Sequence, residues 1–126
     1  MSQTNPLNGT WYSSSGSKLE LEANGTELTG KFDSTREPNG FVPIFGSVAN
    51  VDPNPDFLPV AFSASWSAGV GYGPSVTSYT GQYTNKKDHE QIEIIFLMAN
   101  QEESTVLWKS VGISSEVFTR NNPKAA

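Results

Sequence analysis

The chain has 126 residues, no cysteine, and a formal net charge of −5 at pH 7, with an isoelectric point near 4.7. A chain of this length forms one domain by default and can bury a core without disulfides or metals. The absence of cysteine excludes disulfide frameworks, thiol nucleophiles and zinc–thiolate sites, and we expect no metal or cofactor. The acidic balance argues against nucleic acid and anionic membrane surfaces as partners. No apolar run approaches the roughly 20 residues needed to span a bilayer.

Short segments of alternating polar and apolar residues, separated by turn residues, predict an all-β fold. The turns are rich in Gly, Pro, Asn and Asp, each of which favours chain reversal for its own steric or hydrogen-bonding reason. In chain order we place strands near 8–13, 17–23, 26–34, 41–48, 58–66, 73–83, 90–99 and 104–112, followed by a short tail near 116–120. Eight consecutive strands joined by short hairpins predict an eight-stranded antiparallel up-and-down β-barrel, whose closure leaves no exposed sheet edge. The interior of such a barrel is either packed solid or holds one small ligand.

This barrel accounts for the chain as one domain, residues 1–126, with flexible tails expected at 1–7 and 121–126. Between the second and third strands, Asn24-Gly25 is a strong signal for a tight hairpin turn. The first residues, MSQTNPLNG, lack the apolar segment of a secretion signal, and the compartment stays open between secreted and cytoplasmic.

Alternation assigns an inner and an outer face to each strand, and most inner faces are apolar. The first and sixth strands differ. There Trp11 shares its inner face with Ser13, and Tyr79 shares its inner face with Ser75 and Thr77. Buried hydroxyls need partners, which can be each other, the backbone, trapped water or a ligand. Aromatic walls with a few converging polar groups are typical of a small-molecule pocket, so we predict one at this end of the barrel, with a hydrated core as the alternative.

The seventh strand, QIEIIFLMA, is apolar on both faces. Its inner face carries Phe96 and Met98, its outer face carries Ile95 and Leu97, and Val76 extends the outer stripe on the sixth strand. The outer face of a barrel normally contacts solvent and is polar, so this apolar stripe indicates contact with another subunit. Scattered exposed apolar residues are the plainer alternative. The continuity of the stripe favours a homo-oligomer.

Several short motifs together resemble the avidin and streptavidin family. They are GTWY…GS (9–17), LTGKF (28–32), SASWS (63–67), TSYTGQY (77–83), LWKS (107–110) and VFTR (117–120), in the order and spacing of that family. The resemblance runs from about Gly9 to Arg120 and is closest to the bacterial and fungal members. It implies a streptavidin-like barrel, usually a tetramer, that binds biotin non-covalently and catalyses no reaction.

The resemblance also implies a set of residues that contact biotin. Its polar members are Ser13 and Ser17, with Phe32, around the ureido oxygen, Ser34 and Glu116 at the ureido N–H groups, Thr77 at the ring sulfur, and Ser75 with loop 34–40 at the carboxylate. Its apolar members are Trp66, Tyr79 and Phe96 on the walls, with Met98 beside them. Trp108 would reach in from a neighbouring subunit. The presence of Trp108 favours a tetramer over the dimeric branch of the family.

Three of these positions depart from the family pattern. Ser13 stands where asparagine is usual, Phe32 stands where tyrosine is usual, and Glu116 is one methylene longer than the usual Asp or Asn. All three fall on the ureido clamp, and each lost hydrogen bond costs roughly 1–3 kcal/mol. The resemblance therefore implies biotin binding that is weaker than is typical of the family.

Two other functions stay open. The altered clamp could adapt the same barrel to a different small ligand. A hydrolytic enzyme in a barrel frame would need a nucleophile–base pair, but the single histidine, His89, lies in the charged turn KKDHE. The predicted inner faces also carry almost no paired carboxylates for glycoside hydrolysis. We therefore expect a binding protein rather than an enzyme.

Overall fold

The computed structural model describes residues 5–33, 41–52, 54–66, 75–100 and 111–121. These residues form eight strands, which are β1 (Gly9–Ser13), β2 (Lys18–Asn24), β3 (Glu27–Asp33), β4 (Val42–Val48), β5 (Phe57–Trp66), β6 (Ser75–Lys86), β7 (His89–Asn100) and β8 (Val111–Thr119). Each strand pairs antiparallel with the next, and β8 returns to β1 to close the barrel. The predicted eight-stranded up-and-down barrel is confirmed. Within these ranges no helix is present that could cross a membrane.

The end of the eighth strand was predicted wrongly. The sequence places this strand near 104–112 with a tail at 116–120, whereas β8 runs Val111–Thr119. The part of that prediction before Val111 lies outside the described residues. Serines and a glutamate in the middle of β8 lower its strand propensity, but pairing with β7 continues through them, as in Ile94↔Glu116. Tertiary pairing outweighs local propensity here.

The core lies inside the barrel and is built from the inward faces of the strands. Leu19, Leu28, Trp66 and Ile92 are buried, so the predicted inner faces of β2, β3, β5 and β7 are confirmed. Gly30 shares the inner face of β3, where a Cβ would lie 1.9 Å from the carbonyl oxygen of Glu20 on β2. The missing side chain therefore lets β2 and β3 approach closely.

The up-and-down connectivity divides the loops between two ends of the barrel. We call the end reached by segments 14–17, 34–41, 67–74 and 101–110 the upper end, because these segments join β1 to β2, β3 to β4, β5 to β6 and β7 to β8. The opposite, lower end holds the other three connections. Among them is the predicted hairpin turn at Asn24-Gly25, which is confirmed by a Gly25 φ of 64° and the Asn24↔Glu27 pair.

The lower end is closed by the N-terminal segment. Leu7 is fully buried, and Trp11 Nε1 donates a hydrogen bond to its carbonyl oxygen at 2.9 Å. Asn5 is buried as well, and its side-chain oxygen accepts a hydrogen bond from the Leu7 amide at 2.9 Å. The flexible tail expected over 1–7 therefore does not extend to residues 5–7, because Leu7 belongs to the core. Residues 1–4 and 122–126 lie outside the described residues.

Candidate ligand-binding site

Aromatic side chains line the barrel interior towards its upper end. Phe32 stacks on Tyr79 with ring centroids 5.7 Å apart, and it meets Trp66 edge-on at 5.4 Å. Tyr79 also contacts Phe96, with centroids 5.4 Å apart. Strands β3, β5, β6 and β7 each contribute one ring, because the predicted inner positions come into register across the sheet. The result is a rigid apolar wall.

Two hydroxyls lie beside this wall on the inner face of β6. Thr77 is fully buried, and its Oγ1 accepts a hydrogen bond from Trp66 Nε1 at 2.8 Å. This contact leaves the Thr77 O–H free to donate. Ser75 is also buried, and its Oγ has no hydrogen-bond partner among the described residues. Native proteins satisfy most buried hydroxyls, so an unpaired one marks a place where water or a ligand belongs.

The serine run after β1 folds into a tight turn whose hydroxyls interact. The Ser13 amide donates to the Ser17 carbonyl at 3.0 Å, and Gly16 takes a φ of 92° that suits glycine. The Ser13 hydroxyl accepts a hydrogen bond from the Ser17 amide at 3.1 Å and shares another with the Ser15 hydroxyl at 2.9 Å. Ser13 and Ser17 are buried, whereas Ser15 is exposed. Much of the hydrogen-bonding capacity of Ser13 is therefore used within the turn.

Glu116 extends this set of polar groups from the opposite side. It lies on β8, on the same face as the buried Phe118, and it is half-buried. The Ser15 hydroxyl points at Glu116 Oε1 across 3.5 Å, a long contact at the limit of hydrogen bonding. The serine turn and the carboxylate thus face each other where β1 ends.

A cavity of about 660 Å³ opens at this point. Its lining combines inner-face residues such as Ser13, Phe96 and Glu116 with outer-face residues such as Tyr12 and Val117, so the cavity spans the barrel wall between β1 and β8. The cavity exists because β1 and β8 pair at two positions only, the second being Ser13↔Phe118, so β1 ends while β8 continues towards the upper end. This volume lies within the range of small-molecule pockets, which is about 300–1,000 Å³.

Most of the predicted site residues therefore come together at the upper end. The residues on inner faces or lining the cavity are Ser13, Ser17, Phe32, Trp66, Ser75, Thr77, Tyr79, Phe96, Met98 and Glu116. Ser34 and Trp108 lie outside the described residues. His89 is exposed at the start of β7, at the lower end of the barrel and away from this group.

Ser15 and Ser114 also belong to this region, although the sequence analysis did not select them as site residues. Ser114 lies two residues before Glu116, so it would share a face with it in any strand that spans both. Because the sequence analysis ended the eighth strand at 112, it did not recognise that Ser114 and Glu116 share a face. Ser15 is exposed, and only its contacts with Ser13 and Glu116 reveal it.

A closed eight-stranded barrel with aromatic and hydroxyl-bearing side chains at one end has the form of a small-molecule-binding β-barrel. The chain belongs to the avidin family, whose model it matches over residues 1–121. Among solved structures it is similar to the crystal structure of xenavidin, with 22% identity, a TM-score of 0.76, and coverage of 94% of this chain and 100% of that chain. This likeness supports the fold. A comparison with curated protein sequences gives no match.

Proposed function

We propose that this protein binds biotin non-covalently at the upper end of the barrel, without catalysing a reaction on it. One observation supports a ligand at this position most directly: the buried Ser75 hydroxyl has no partner among the described residues. Leaving such a group unpaired costs roughly 1–3 kcal/mol, which a ligand with a matching polar atom would recover. Membership of the avidin family supports biotin as that ligand.

The arrangement suggests a division of roles around the ligand. Phe32, Trp66, Tyr79 and Phe96 would pack against the bicyclic ring, since they already pack on one another in fixed geometry. Thr77 would donate towards the ring sulfur, because its oxygen accepts from Trp66 and its proton is available. Ser17 and Ser34 would serve the ureido group, and Ser75 the carboxylate. A rigid, preformed site limits the entropy lost on binding.

We expect the affinity to be below that typical of the family. The Ser13 hydroxyl already contacts the Ser17 amide and the Ser15 hydroxyl, so less of it is available to the ureido oxygen. Phe32 offers no hydroxyl there at all. Two weakened hydrogen bonds at roughly 1–1.5 kcal/mol each correspond to a loss on the order of 100-fold in Kd.

Paired variants test the site by isothermal titration with biotin. Ser75→Ala and Thr77→Val remove inward hydroxyls and should each weaken biotin binding by about tenfold or more. Ser63→Ala is the matched control, because Ser63 is exposed on the outer face of β5. Equal affinity for all three variants and the parent would place the biotin site elsewhere. Binding of another small molecule but not biotin would favour the altered-specificity alternative.

We also propose that a second copy of this chain covers the outer face of β6 to β8. The side chains that support this face are Val76 (52% exposed), Ile95 (61%), Leu97 (44%), Ile113 (74%) and Val117 (43%). Leu97 pairs with Ile113 across the β7–β8 ladder, so the residues form one stripe. Among the described residues, Glu93 pairs with Val117 at the margin of this stripe, whereas the outer faces of β2 and β3 carry five charged residues, Lys18, Glu20, Glu22, Lys31 and Asp33. Depletion of charge is the compositional mark of an interface core.

A tetramer is the assembly we expect, with Trp108 of each subunit completing a neighbouring pocket. Light scattering coupled to size-exclusion chromatography gives the mass in solution. Leu97→Lys should shift the mass towards smaller species, because it buries an unpaired charge at the interface. Thr29→Lys, on the exposed outer face of β3, should leave the mass unchanged. A monomeric parent protein would contradict the proposal.

A further inference from the structure

The polar groups that line the cavity combine one carboxylate with several neutral hydroxyls. On the acceptor side, Glu116 brings a carboxylate to the cavity. On the donor side, Phe32 has no polar atom, and the Ser13 hydroxyl already contacts the Ser17 amide and the Ser15 hydroxyl. A urea carries one oxygen that needs donors and two N–H groups that need acceptors. Glu116 is thus a charged acceptor for such N–H groups, whereas the cavity offers a carbonyl oxygen only neutral donors such as the hydroxyls of Ser14 and Ser114.

No basic side chain of the described residues offsets the Glu116 charge. Lys18 and Lys31 lie on the outer face, where Lys18 pairs with Glu20 at 3.4 Å and Lys31 lies over the Phe41 ring. Lys86 and Lys87 lie at the lower-end hairpin, and Arg120 pairs with Glu90 at 3.2 Å. Within the described part of the chain, the Ser15 hydroxyl contacts the Glu116 carboxylate at 3.5 Å, a long distance for a hydrogen bond. Among the described residues, the half-buried Glu116 side chain therefore has no basic partner.

Aromatic rings complete the pattern. Phe96 lines the same cavity as Glu116 and contacts Tyr79 behind it, with ring centroids 5.4 Å apart. Aromatic faces attract cations, and a carboxylate forms its strongest hydrogen bonds with a planar guanidinium. A flat cationic group placed between Phe96 and Glu116 would satisfy both. The net charge of −5 adds a general attraction for cations.

We propose that this cavity recognises a planar guanidinium headgroup at least as well as a neutral cyclic urea, with Glu116 as the residue that sets this preference. The inference rests on the proposed biotin site, since it concerns the headgroup of a ligand bound in that cavity. The Ser15 hydroxyl lies 3.5 Å from Glu116 Oε1, on the side of the carboxylate that faces the serine turn.

The test compares biotin with 2-iminobiotin, in which a guanidinium replaces the urea, by titration at pH 7, where a guanidinium stays protonated. For the parent protein, the Kd of 2-iminobiotin should equal or lie below that of biotin. Glu116→Gln should raise the Kd of 2-iminobiotin relative to that of biotin by about tenfold or more, because a charge-assisted hydrogen bond becomes a neutral one. Glu116→Asp keeps the charge and should keep the preference. Glu22→Gln makes the same chemical change on the exposed outer face of β2 and should leave the ratio of the two Kd values unchanged.

The outcomes separate this inference from the proposed function. Saturable biotin binding with 2-iminobiotin more than about tenfold weaker would overturn the inference and leave the biotin site standing. An unchanged ratio in Glu116→Gln, with the variant folded by circular dichroism, would also overturn it. Binding of 2-iminobiotin without binding of biotin would support the inference and remove the biotin assignment. Binding of neither by the folded protein would remove both.

Discussion

The guanidinium carbon of Arg120 lies 3.7 Å from the centroid of the Trp11 ring. The same guanidinium donates hydrogen bonds to the backbone oxygens of Pro6 at 2.6 Å, Asn8 at 3.2 Å and Thr10 at 3.2 Å. Its Nε also pairs with Glu90 at 3.2 Å. One side chain therefore ties the N-terminal segment, β1, β7 and the end of β8 together at the lower end.

Replacing Arg120 with lysine should destabilise the protein by about 2–4 kcal/mol, because an ammonium group cannot reproduce the fixed fork of donors or the stacking on Trp11. Urea unfolding of the parent and Arg120→Lys measures the difference. Lys18→Gln is a control that breaks an exposed ion pair and should change the free energy of unfolding by less than about 0.5 kcal/mol. A lysine variant as stable as the parent would show that these contacts do not hold the lower end closed.

Stability should also fall in alkaline solution because of Tyr83. Burial raises the pKa of the Tyr83 hydroxyl above its ordinary value of 10.0, and its hydrogen bond to Glu90, 2.9 Å long, raises the pKa further. The unfolded chain then loses this proton near pH 10 while the folded protein keeps it. The contribution of Tyr83 to the free energy of unfolding is therefore complete below pH 10. Above pH 10 it falls by about 1.4 kcal/mol per pH unit.

The measurement is the free energy of unfolding of the parent and Tyr83→Phe between pH 9 and pH 11. Tyr83→Phe removes the hydroxyl, so its stability should decline less steeply over that interval. The other tyrosines are present in both proteins and contribute equally to both curves. Parallel curves would mean that Tyr83 does not hold its proton in the folded state.

The β6–β7 hairpin offers a stabilising change. Lys87 and Asp88 both have positive φ angles, 55° and 62°, which match a type I′ turn. This backbone conformation strains most side chains, and Asn-Gly is the preferred pair for it. The double substitution Lys87→Asn with Asp88→Gly should raise the free energy of unfolding by about 1 kcal/mol. A fall in thermal stability would contradict the assigned turn geometry.

Phe32→Tyr tests the altered clamp. The ring of Phe32 is fixed by stacking on Tyr79 and by edge contacts with Trp66 and Phe118, so a para hydroxyl would project in a defined direction. If that hydroxyl meets the ureido oxygen, biotin should bind about tenfold more tightly. Phe45→Tyr makes the same change on the exposed outer face of β4, where Phe45 is 63% exposed, and should have no effect on binding. Unchanged affinity of Phe32→Tyr would mean that the hydroxyl meets no ligand atom, and weaker binding would mean that it collides with the ligand.

The barrel could be predicted from the sequence because polar and apolar residues alternate regularly in β2, β3 and β5, and because the turns are marked by Gly, Pro, Asn and Asp. The inward hydroxyls of Ser13, Ser75 and Thr77 could also be predicted, since Trp11 and Tyr79 fix the face on which they lie. The end of the eighth strand could not be placed, because the polar centre of the strand has low strand propensity and only pairing with β7 defines it.

Two parts of the structure depend on contacts between residues far apart in sequence. Leu7 becomes core because Arg120 and Trp11 bind its segment at the lower end, and a short polar N-terminus gives no local sign of this. The contact between Ser15 and Glu116 joins residues 101 positions apart across the gap between β1 and β8. Alternation patterns describe faces of single strands, so they carry no information on where β1 stops pairing with β8.

The central claim is that the upper end of this barrel holds biotin. Isothermal titration of the purified protein with biotin tests it most directly, with the mass in solution recorded on the same sample. We predict saturable binding near one biotin per chain, with an affinity below that typical of the avidin family, in an oligomer. No heat at high micromolar concentration from a folded oligomer would contradict the claim, and would mean that the serine turn and the aromatic wall accommodate a different ligand.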